Sequence, residues 1–415
     1  MKGHEEVVQL LLATGEVDPD SRSFHRGTPL LFASKNGHRD VVKLLLTTDK
    51  VDPDFLDNNR STPLLYAAEN GHVDVVKLLL STGKVNPDFK DKKRRTPILY
   101  AAKNGHKDIV KALLATCKDS LDLRDIWRKT PLLYAANNGH EDVVELLLAT
   151  GKVDPDFRDV YDNTPFSYAI QAGHAGIVKL LLATGKVDPD LRDACHKTPL
   201  SYAIEAGHET IVKLLLASGK VDPDLRDACH KTPLSYAIKA RHENIVKLLL
   251  ATGKVDLDRE VDHLYEAIQC ENENIFKLLF ATGKVDLDRE GAHLYAAVEC
   301  ENENILKLLL ATGKVDYNQE YNQEYIGGGE TLLFWAASQG KESIVRLLLA
   351  TGKIDRSKKF TIRQTKRLGA YQSLDDNIAM LLIAAGKVDP AVWYKAVCGR
   401  ARLLRERMDS RCRES

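Results

Sequence analysis

Short histidine and glycine-lysine pairs are the residues of this chain whose types suggest chemistry. His-Glu pairs at 140–141 and 208–209 match the start of a zinc-protease motif, but valine stands where the second histidine ligand is needed. Gly-Lys pairs at 151–152, 185–186 and 219–220 are followed by valine, whereas a phosphate-binding loop needs serine or threonine there. No Gly-x-Ser-x-Gly nucleophile motif is present. We therefore expect no catalytic residues, no cofactor and no enzymatic activity.

Two Cys-His pairs are the strongest candidates for metal ligands. Cys195-His196 and Cys229-His230 lie in identical strings of sequence, 186–204 and 220–238. Equivalent positions of packed helical repeats are about 8–10 Å apart, whereas zinc holds its ligands at about 2.0–2.3 Å. Duplication of one segment explains both pairs without a metal, so we expect no metal site.

Composition and charge exclude several classes of protein. The chain has 415 residues, of which 44% are apolar and 28% charged, and 59 basic residues balance 59 acidic ones. No apolar run approaches the roughly 18 residues of a membrane-spanning helix, so we expect no membrane association. Seven cysteines are scattered rather than clustered, and the N-terminus lacks a signal peptide pattern. A reducing compartment, the cytoplasm or the nucleus, is the expected location.

A 34-residue repeat organises most of the chain. Thr-Pro pairs recur at 28, 62, 96, 130, 164, 198 and 232, and Gly-His pairs at 37, 71, 105, 139, 173 and 207. In one repeat, Thr62 and Pro63 are typical of the N-cap and first position of a helix that ends at Gly71. Aliphatic residues over 75–80 predict a second helix that ends at Gly83. Neither helix is long enough to persist alone, so we predict an all-α solenoid of stacked helix-turn-helix units with projecting hairpin loops.

The pattern Thr-Pro-Leu-x-x-Ala-Ala-x-x-Gly-His-x-x-Val-Val-x-Leu-Leu-Leu resembles the ankyrin repeat, especially the long arrays of filamentous fungi, over about residues 1–390. The resemblance implies a scaffold for protein–protein interaction. One departure concerns the loop, where the usual glycine two positions before the threonine is replaced by Arg60, Arg94, Arg128, Asp162, His196 or His230. A side chain disfavours the left-handed turn that glycine adopts freely, so the loop conformation stays open at this point.

The repeat spacing predicts six segments. They are a partial N-terminal repeat with its second helix and loop (1–27), seven regular repeats (28–253), two shortened repeats without Thr-Pro (254–313), an inserted loop (314–330), two divergent repeats (331–390) and a basic C-terminal helix (391–415). The partial repeat leaves the apolar residues of 7–12 without a first helix. Either that helix is dispensable, or the apolar end docks on another surface, or the natural protein is longer. In similar fungal proteins such arrays often follow a signalling NTPase or effector domain.

The surface that varies while the framework repeats is where we expect a partner to bind. In the ankyrin family, the loop tips and first helices line the concave binding face, and Trp127 among lysine and arginine is the kind of exposed anchor that interfaces favour. We predict an acidic, partly apolar protein partner; the alternative is that these are solvated loop residues. The predicted protein-binding residues are Phe24, His25, Arg26, Asn58, Asn59, Arg60, Lys92, Lys93, Arg94, Arg95, Ile126, Trp127, Arg128, Lys129, Val160, Tyr161, Lys35, Glu69, Lys103, Asn137 and Gln171.

Tyrosines at 66, 100, 134, 168, 202 and 236 form a further series at the repeat spacing. Either their rings pack along the first helices, or they form a stacking surface for a partner. The sequence alone leaves both interpretations open.

The C-terminal region is basic. Residues 356–415 hold 14 basic and 6 acidic side chains. Such a segment can bind nucleic acid, act as a nuclear import signal or keep the end of the stack soluble. A nuclear transcriptional co-regulator that uses this basic region is therefore one alternative to a protein-binding scaffold, and the repeat region of a larger signalling NTPase is the other. We expect the chain to be a monomer.

Overall fold

The computed structural model describes residues 5–24, 26–116, 123–193, 195–257, 263–283, 290–311, 331–354, 360 and 376–395. Within these residues the regular secondary structure is helical throughout, with no β-strand. The chain divides into two compact units, Met1–Pro233 and Leu234–Ser415. The predicted inserted loop at 314–330 lies outside the described residues, as does most of the basic region at 356–415.

Most of the helices come in pairs, and we call the first of each pair the inner helix and the second the outer helix. The first helix of the chain is an outer helix that precedes the first pair. In the first unit they are α1 (Glu5–Thr14), α2 (Pro29–Lys35), α3 (Arg39–Leu46), α4 (Pro63–Glu69), α5 (Val73–Ser81), α6 (Pro97–Lys103), α7 (Lys107–Thr116), α8 (Pro131–Asn138), α9 (Glu141–Ala149), α10 (Pro165–Gln171), α11 (Ala175–Ala183), α12 (Pro199–Glu205) and α13 (Glu209–Ala217). Helix α14 (Pro233–Lys239) begins at the boundary between the units. In the second unit they are α15 (Glu243–Ala251), α16 (His263–Gln269), α17 (Glu273–Phe280), α18 (Glu290–Glu299), α19 (Glu303–Ala311), α20 (Leu332–Ser338), α21 (Glu342–Ala350) and α22 (Asp376–Ala384).

Each inner helix of the regular repeats begins at the Thr-Pro pair. The hydroxyl of Thr62 accepts a hydrogen bond from the backbone N–H of Leu65 at 3.2 Å, and Pro63 follows at the first helical position, where its missing N–H costs nothing. At the other end, Gly71 adopts a φ of 81° after the helix. The cap and the stop predicted from the sequence are confirmed.

The helices of the first unit are stabilised by stacking on their neighbours. Inner helices pack on inner helices from α2 through α12, outer helices pack on outer helices from α1 through α13, and the two helices of a pair contact each other. In one pair, Ala67 and Ala68 are fully buried together with Val76 and Leu79. The small alanines let the next helix approach closely, and the aliphatic side chains fill the layer between inner and outer helices. The predicted all-α stack is confirmed.

The second unit repeats this packing in its own shortened and divergent repeats. Helices α16, α18 and α20 form a row of inner helices, and α15, α17, α19, α21 and α22 form a row of outer helices. In the two shortened repeats, His263 and His293 take the position of the Thr-Pro proline and are buried. The stack therefore continues although the Thr-Pro cap has been lost.

The histidine of each Gly-His pair connects neighbouring repeats. His140 Nε2 lies 2.9 Å from the backbone carbonyl oxygen of Lys103, the last residue of the preceding inner helix. Asn138 Nδ2 donates to the same oxygen at 2.7 Å. Since the last carbonyls of a helix have no partner within the helix, these two bonds satisfy a group that would otherwise be unpaired.

The same contact recurs from repeat to repeat with a graded distance. His72 and His106 lie 3.0 and 3.1 Å from the equivalent carbonyls. For His174 and His208 the distances are 3.3 and 3.5 Å. Alanine replaces the asparagine two positions before each of these two histidines, so the carbonyl loses its second donor in the repeats where the histidine contact is longest.

The glycine before each histidine is required on two counts. Gly105 has a φ of 75°, which residues with a side chain rarely adopt. A Cβ atom at Gly105 would also lie 2.5 Å from Nδ1 of His140 in the next repeat. The glycine of one repeat and the histidine of the next therefore form one packing unit.

The second unit supports this pairing by exception. Arg241, Glu271 and Glu301 occupy the glycine position and keep positive φ values of 53° to 59°. The repeats that follow them carry Asn272, Asn302 and Lys341 in place of histidine. Glycine has been replaced only where the following repeat has no imidazole to occupy the space of its Cβ.

We expect Gly105→Ala to lower the free energy of unfolding by about 2–4 kcal/mol, because the left-handed backbone and the contact with His140 are both penalised. Gly151→Ala is the matched control, since Gly151 has a φ of 66° and nothing within 4 Å of its Cβ position. The control substitution should lower the free energy of unfolding by about 1 kcal/mol. Urea unfolding of both variants measures the difference.

A double-mutant cycle tests the cause of the larger effect. In a His140→Asn background, which imitates the shortened repeats, Gly105→Ala should cost no more than Gly151→Ala. If its cost is undiminished by the loss of the imidazole, the proposed pairing of glycine and histidine is wrong.

Candidate protein-binding surface

The six inner helices of the first unit, and helix α14 after them, are each preceded by a projecting loop that we call a finger. Fingers 1 to 7 are residues 23–27, 57–61, 91–95, 125–129, 159–163, 193–197 and 227–231. Neighbouring fingers are joined by backbone hydrogen bonds. The N–H of Lys92 donates to the carbonyl of Asn59 at 3.1 Å, and the N–H of Ile126 donates to the carbonyl of Lys93 at 3.1 Å. With the bond from the N–H of Val160 to the carbonyl of Trp127, fingers 2 to 5 therefore form a continuous edge.

An aspartate at the base of each of fingers 2 to 7 organises the turn. In finger 3, Asp91 Oδ1 accepts hydrogen bonds from the backbone N–H groups of Lys93 and Arg95, each at 2.8 Å. Between them, Arg94 keeps a φ of 59°. The left-handed turn is thus retained without glycine in fingers 1 to 7, where φ of the fourth residue is 58° to 60°, which answers the question that the sequence left open.

The same aspartates anchor the tyrosines of the inner helices. In four repeats the tyrosine hydroxyl donates a hydrogen bond of 2.8 to 2.9 Å to the second carboxylate oxygen of the aspartate. The pairs are Tyr66 with Asp57, Tyr100 with Asp91, Tyr134 with Asp125 and Tyr168 with Asp159. Because each hydroxyl is held in this way, the series fastens fingers to helices. The aspartates were missed by the sequence interpretation, although aspartate recurs five positions before the threonine in six repeats.

Burial and the neighbouring carboxylate both act on the tyrosine hydroxyls. Desolvation and, next to it, the hydrogen bond to Asp91 together raise the pKa of Tyr100 to about 12, against the lowering effect of Arg95. The pKa values of Tyr134 and Tyr168 are raised for the same two reasons. The tyrosines therefore stay protonated and act as hydrogen-bond donors at all physiological pH values.

Basic side chains lie over these aromatic rings. The guanidinium of Arg95 is 5.3 Å from the ring centre of Tyr100 and 5.4 Å from that of Trp127. The ammonium of Lys129 is 4.5 Å from the ring of Tyr168. Such cation–π contacts fix the direction of the charge while leaving part of it open to solvent. Arg95 and Lys129 therefore belong to the framework as well as to the surface.

Trp127 is half-buried, which corrects the expectation that it is an exposed anchor. Its ring lies beneath Arg95 and Lys93, whose ammonium is 5.9 Å away. The backbone of Trp127 is also fixed, because its N–H donates to Asp125 at 2.9 Å. The tryptophan therefore supports the tip from beneath.

Apolar side chains next to Trp127 are the exposed part of the surface. Ile126 is 49% exposed in finger 4, and Val160 and Tyr161 are 47% and 67% exposed in finger 5. The N–H of Val160 donates to the carbonyl of Trp127 at 3.2 Å, which holds the two tips together. We call Ile126, Val160 and Tyr161 the apolar tip cluster.

The remaining predicted residues surround this cluster or lie farther along the edge. Lys92, Lys93, Arg94 and Arg128 are exposed beside it, and Asn58, Asn59 and Arg60 are exposed in finger 2. Phe24 in finger 1 is 95% exposed, and Arg26 is exposed next to it. His25 lies outside the described residues. Fingers 1 to 5 thus bring the described tip residues to one edge of the first unit.

The predicted positions on the inner helices sit at the helix ends. The side chains of Lys35 and Gln171 are exposed, whereas those of Glu69, Lys103 and Asn137 are half-buried. The main-chain carbonyls of all five residues accept the histidine contacts described above. Gln171 also lines a shallow groove with Ser167 and Tyr202. Ser167 stands where earlier repeats have a buried leucine, and the shorter side chain leaves room for the groove.

Comparison with known protein families gives one result that covers most of the chain. The model for ankyrin repeats (three copies) matches residues 1–91, 30–125, 82–159, 98–193, 166–261, 200–290 and 264–359. The chain belongs to the ankyrin repeat family. Ankyrin repeats generally act as protein–protein interaction modules, and the family is typically non-enzymatic.

Among solved structures, this ankyrin repeat protein is similar to the human ASB11 ankyrin repeat domain. The two are 25% identical, with 55% of this chain and 98% of that chain covered and a TM-score of 0.47. No match was found among curated proteins. The fungal affinity suggested by the sequence stays a prediction, as do the six segment boundaries.

The grouping of ligating side chains bears on metal binding, and the length of the helices bears on membrane insertion. In that part of the chain, no three side chains of His, Cys, Asp or Glu are grouped so that they could hold a metal ion. Cys195 and Cys229, from the two Cys-His pairs, are exposed thiols at the tips of fingers 6 and 7. Among the helices described, none is both long and apolar enough to span a bilayer.

The tyrosine–aspartate bond predicts a specific pH dependence. Because the raised pKa of Tyr100 favours its protonated form in the folded state, its contribution to stability is complete below the unfolded value of about 10 and is lost as the pH rises towards 12. Tyr100→Phe should lower the free energy of unfolding by about 1–2 kcal/mol at pH 8. It should also reduce the decline in stability between pH 10 and 12, as measured by urea unfolding at several pH values.

Tyr161→Phe is the control, since Tyr161 is an exposed tyrosine at the tip of finger 5. Its unfolding curves should match those of the unmodified protein. Equal pH profiles for Tyr100→Phe and Tyr161→Phe would show that the bond to Asp91 does not anchor the finger.

Proposed function

We propose that this ankyrin array is a non-enzymatic scaffold that captures a partner protein through fingers 1 to 5 and the adjoining ends of the inner helices. The apolar tip cluster is the observation that carries the proposal. Isolated apolar residues at a surface are ordinary, but here three large ones are held together at neighbouring tips by a backbone hydrogen bond. A partner that covers them gains apolar burial without having to order the loops first, because the fingers are already fixed.

The charge around the cluster supports an acidic partner. Lys92, Lys93, Arg94 and Arg128 are exposed beside it, and Asp91 and Asp125 in the same fingers are buried and saturated with hydrogen bonds. The positive charge therefore faces solvent, whereas the negative charge is used internally. A partner with acidic residues around one or two apolar side chains is complementary to this arrangement.

The setting we propose is the cytoplasm or the nucleus. The exposed thiols of Cys195 and Cys229 remain reduced in those compartments. We also propose that the chain acts as a monomer, with its fingers available to the partner.

The experiment replaces the apolar tip cluster and leaves the framework intact. Ile126→Ser, Val160→Ser and Tyr161→Ser are combined in one variant of the full chain, which is used as bait in the source cell. Because buried interface anchors each contribute strongly, capture of the partner should weaken by about thirtyfold or more. The far-UV CD spectrum and the melting temperature should not change, since all three side chains are exposed.

A matched control variant carries Ala228→Ser and Cys229→Ser in finger 7, at the positions equivalent to Val160 and Tyr161. It should capture the partner as well as the unmodified chain. Undiminished capture by the cluster variant would refute the assignment of the binding surface.

A further inference from the structure

The fourth residue of each of the first four fingers is an arginine. Arg26, Arg60, Arg94 and Arg128 follow one another at one per repeat, and all four are exposed. Fingers 5, 6 and 7 have Asp162, His196 and His230 at the same position. We call the four arginines the arginine ladder; it ends next to the apolar tip cluster.

The backbone of each ladder arginine adopts a strained conformation. The φ values of the four arginines are 59° or 60°, in the left-handed region that disfavours a side chain. Glycine adopts this conformation without penalty. The strain itself is common to fingers 1 to 7, since Asp162, His196 and His230 have the same φ of 58° to 60°. Fingers 1 to 4 differ in keeping one residue type, arginine, at this strained position, which indicates a role for the side chain outside the fold.

Stacking holds three of the four guanidinium groups of the ladder in place; the exception is Arg94, because Leu123 stands at the position of the aromatic ring. Arg26 lies 5.7 Å from the ring centre of Phe55, Arg60 lies 5.9 Å from Phe89, and Arg128 lies 5.4 Å from Phe157. In each case the aromatic ring belongs to the following repeat. Fingers 5 and 6, which lack the arginine, are followed by Leu191 and Leu225 at the position of the phenylalanine.

A stacked guanidinium keeps its N–H edge available for a carboxylate. Arginine binds carboxylates through two parallel hydrogen bonds, and stacking on a ring does not occupy that edge. Within the described residues, no carboxylate forms an ion pair with any of the four ladder arginines. The ladder is therefore a row of four cations, three of them oriented by stacking, that have no carboxylate partner in the described part of the chain.

The spacing of the ladder selects the conformation of its ligand. Stacked helices lie about 8–10 Å apart, and the backbone hydrogen bonds between neighbouring fingers keep the tips in the same order as the helices. An extended peptide in the polyproline II conformation rises about 3.1 Å per residue with three residues per turn, so every third side chain lies on the same face and three residues span one repeat. A helix rises only about 1.5 Å per residue and would present its acids on a different period.

We propose that the arginine ladder binds an extended acidic segment of the partner protein, with one carboxylate per finger and acidic residues at every third position. This inference rests on the proposed function and specifies the partner's sequence pattern. An aliphatic or aromatic residue follows at the end that reaches finger 4, where it covers the apolar tip cluster. Asp162 in finger 5 repels a further acid, so we expect the row of acidic residues in the partner to end before finger 5.

A nucleic acid fits the ladder less well than such a peptide. Phosphates follow one another at about 3.4 Å of helix axis on each strand of a duplex, so most would face no arginine. The apolar tip cluster also has no counterpart on a phosphate backbone. Binding of DNA is therefore an outcome that the experiment must be able to detect.

The probes are labelled synthetic peptides of equal length and composition that end in a leucine. One carries glutamate at every third position and the other at every second position. The protein is the full chain, together with a variant that combines Arg26→Gly, Arg60→Gly, Arg94→Gly and Arg128→Gly. Since glycine relieves the left-handed strain, this variant should melt at or above the temperature of the unmodified chain, so that weaker binding does not reflect unfolding.

We expect the peptide with the three-residue spacing to bind about tenfold more tightly than the other in a fluorescence anisotropy titration. The fourfold glycine variant should bind it about thirtyfold more weakly, because four charge-assisted contacts are lost. A control variant with His196→Gly and His230→Gly, which relieves the same strain outside the ladder, should bind like the unmodified chain.

Three results would overturn the inference. They are equal binding of the two peptides, undiminished binding by the fourfold glycine variant, and tighter binding of a random DNA duplex than of either peptide. The proposed function fails separately, because it requires that the apolar tip cluster variant lose the cellular partner. If that variant loses the partner while the fourfold glycine variant retains it, the scaffold role stands and the arginine ladder has no part in it.

Discussion

The whole architecture depends on the fact that none of the helices that the structure describes is long enough to persist alone. Most inner helices have only seven residues and the outer ones eight to ten, below the length at which an isolated helix is stable in water. Each helix is therefore held by its neighbours, through the aliphatic layer between the rows and through the histidine that reaches back to the preceding repeat. The requirement for glycine before each histidine also comes from a neighbour, since the imidazole of the next repeat fills the space where a Cβ would be. Stability in this protein is thus a property of the contacts between repeats.

Much of the fold can be predicted from the sequence because its signals are local and repeated. Thr62, Pro63 and Gly71 act within a few residues of themselves, so the start and end of helix α4 follow from the sequence, and the 34-residue period multiplies the evidence. The finger turns could not be predicted in this way. The left-handed backbone at Arg94 is held by Asp91, whose other oxygen is bound by Tyr100, so the conformation depends on three residues in two different elements.

The candidate surface was predictable in outline and not in its geometry. Variation between repeats pointed to the finger tips, but burial is decided by side chains that meet only in the folded array. Trp127 lies under Arg95 and Lys93, which come from the preceding finger 34 residues earlier, and so it supports the tip instead of protruding from it. Ile126, Val160 and Tyr161, which have no such cover, are the residues that face solvent. A framework that fixes the loops before binding allows recognition residues to vary at little cost to the stack.

Native-state hydrogen exchange measured along the first unit tests most directly the claim that neighbours stabilise each repeat. Helix α1 has no buried residues and packs on α3 without an inner helix beside it, whereas α6 to α9 are covered on both sides. The account predicts that protection rises from α1 towards α6 to α9, with the two helices of a pair opening together. Protection as strong in α1 as in α7, or independent exchange of the two helices of an interior pair, would contradict it.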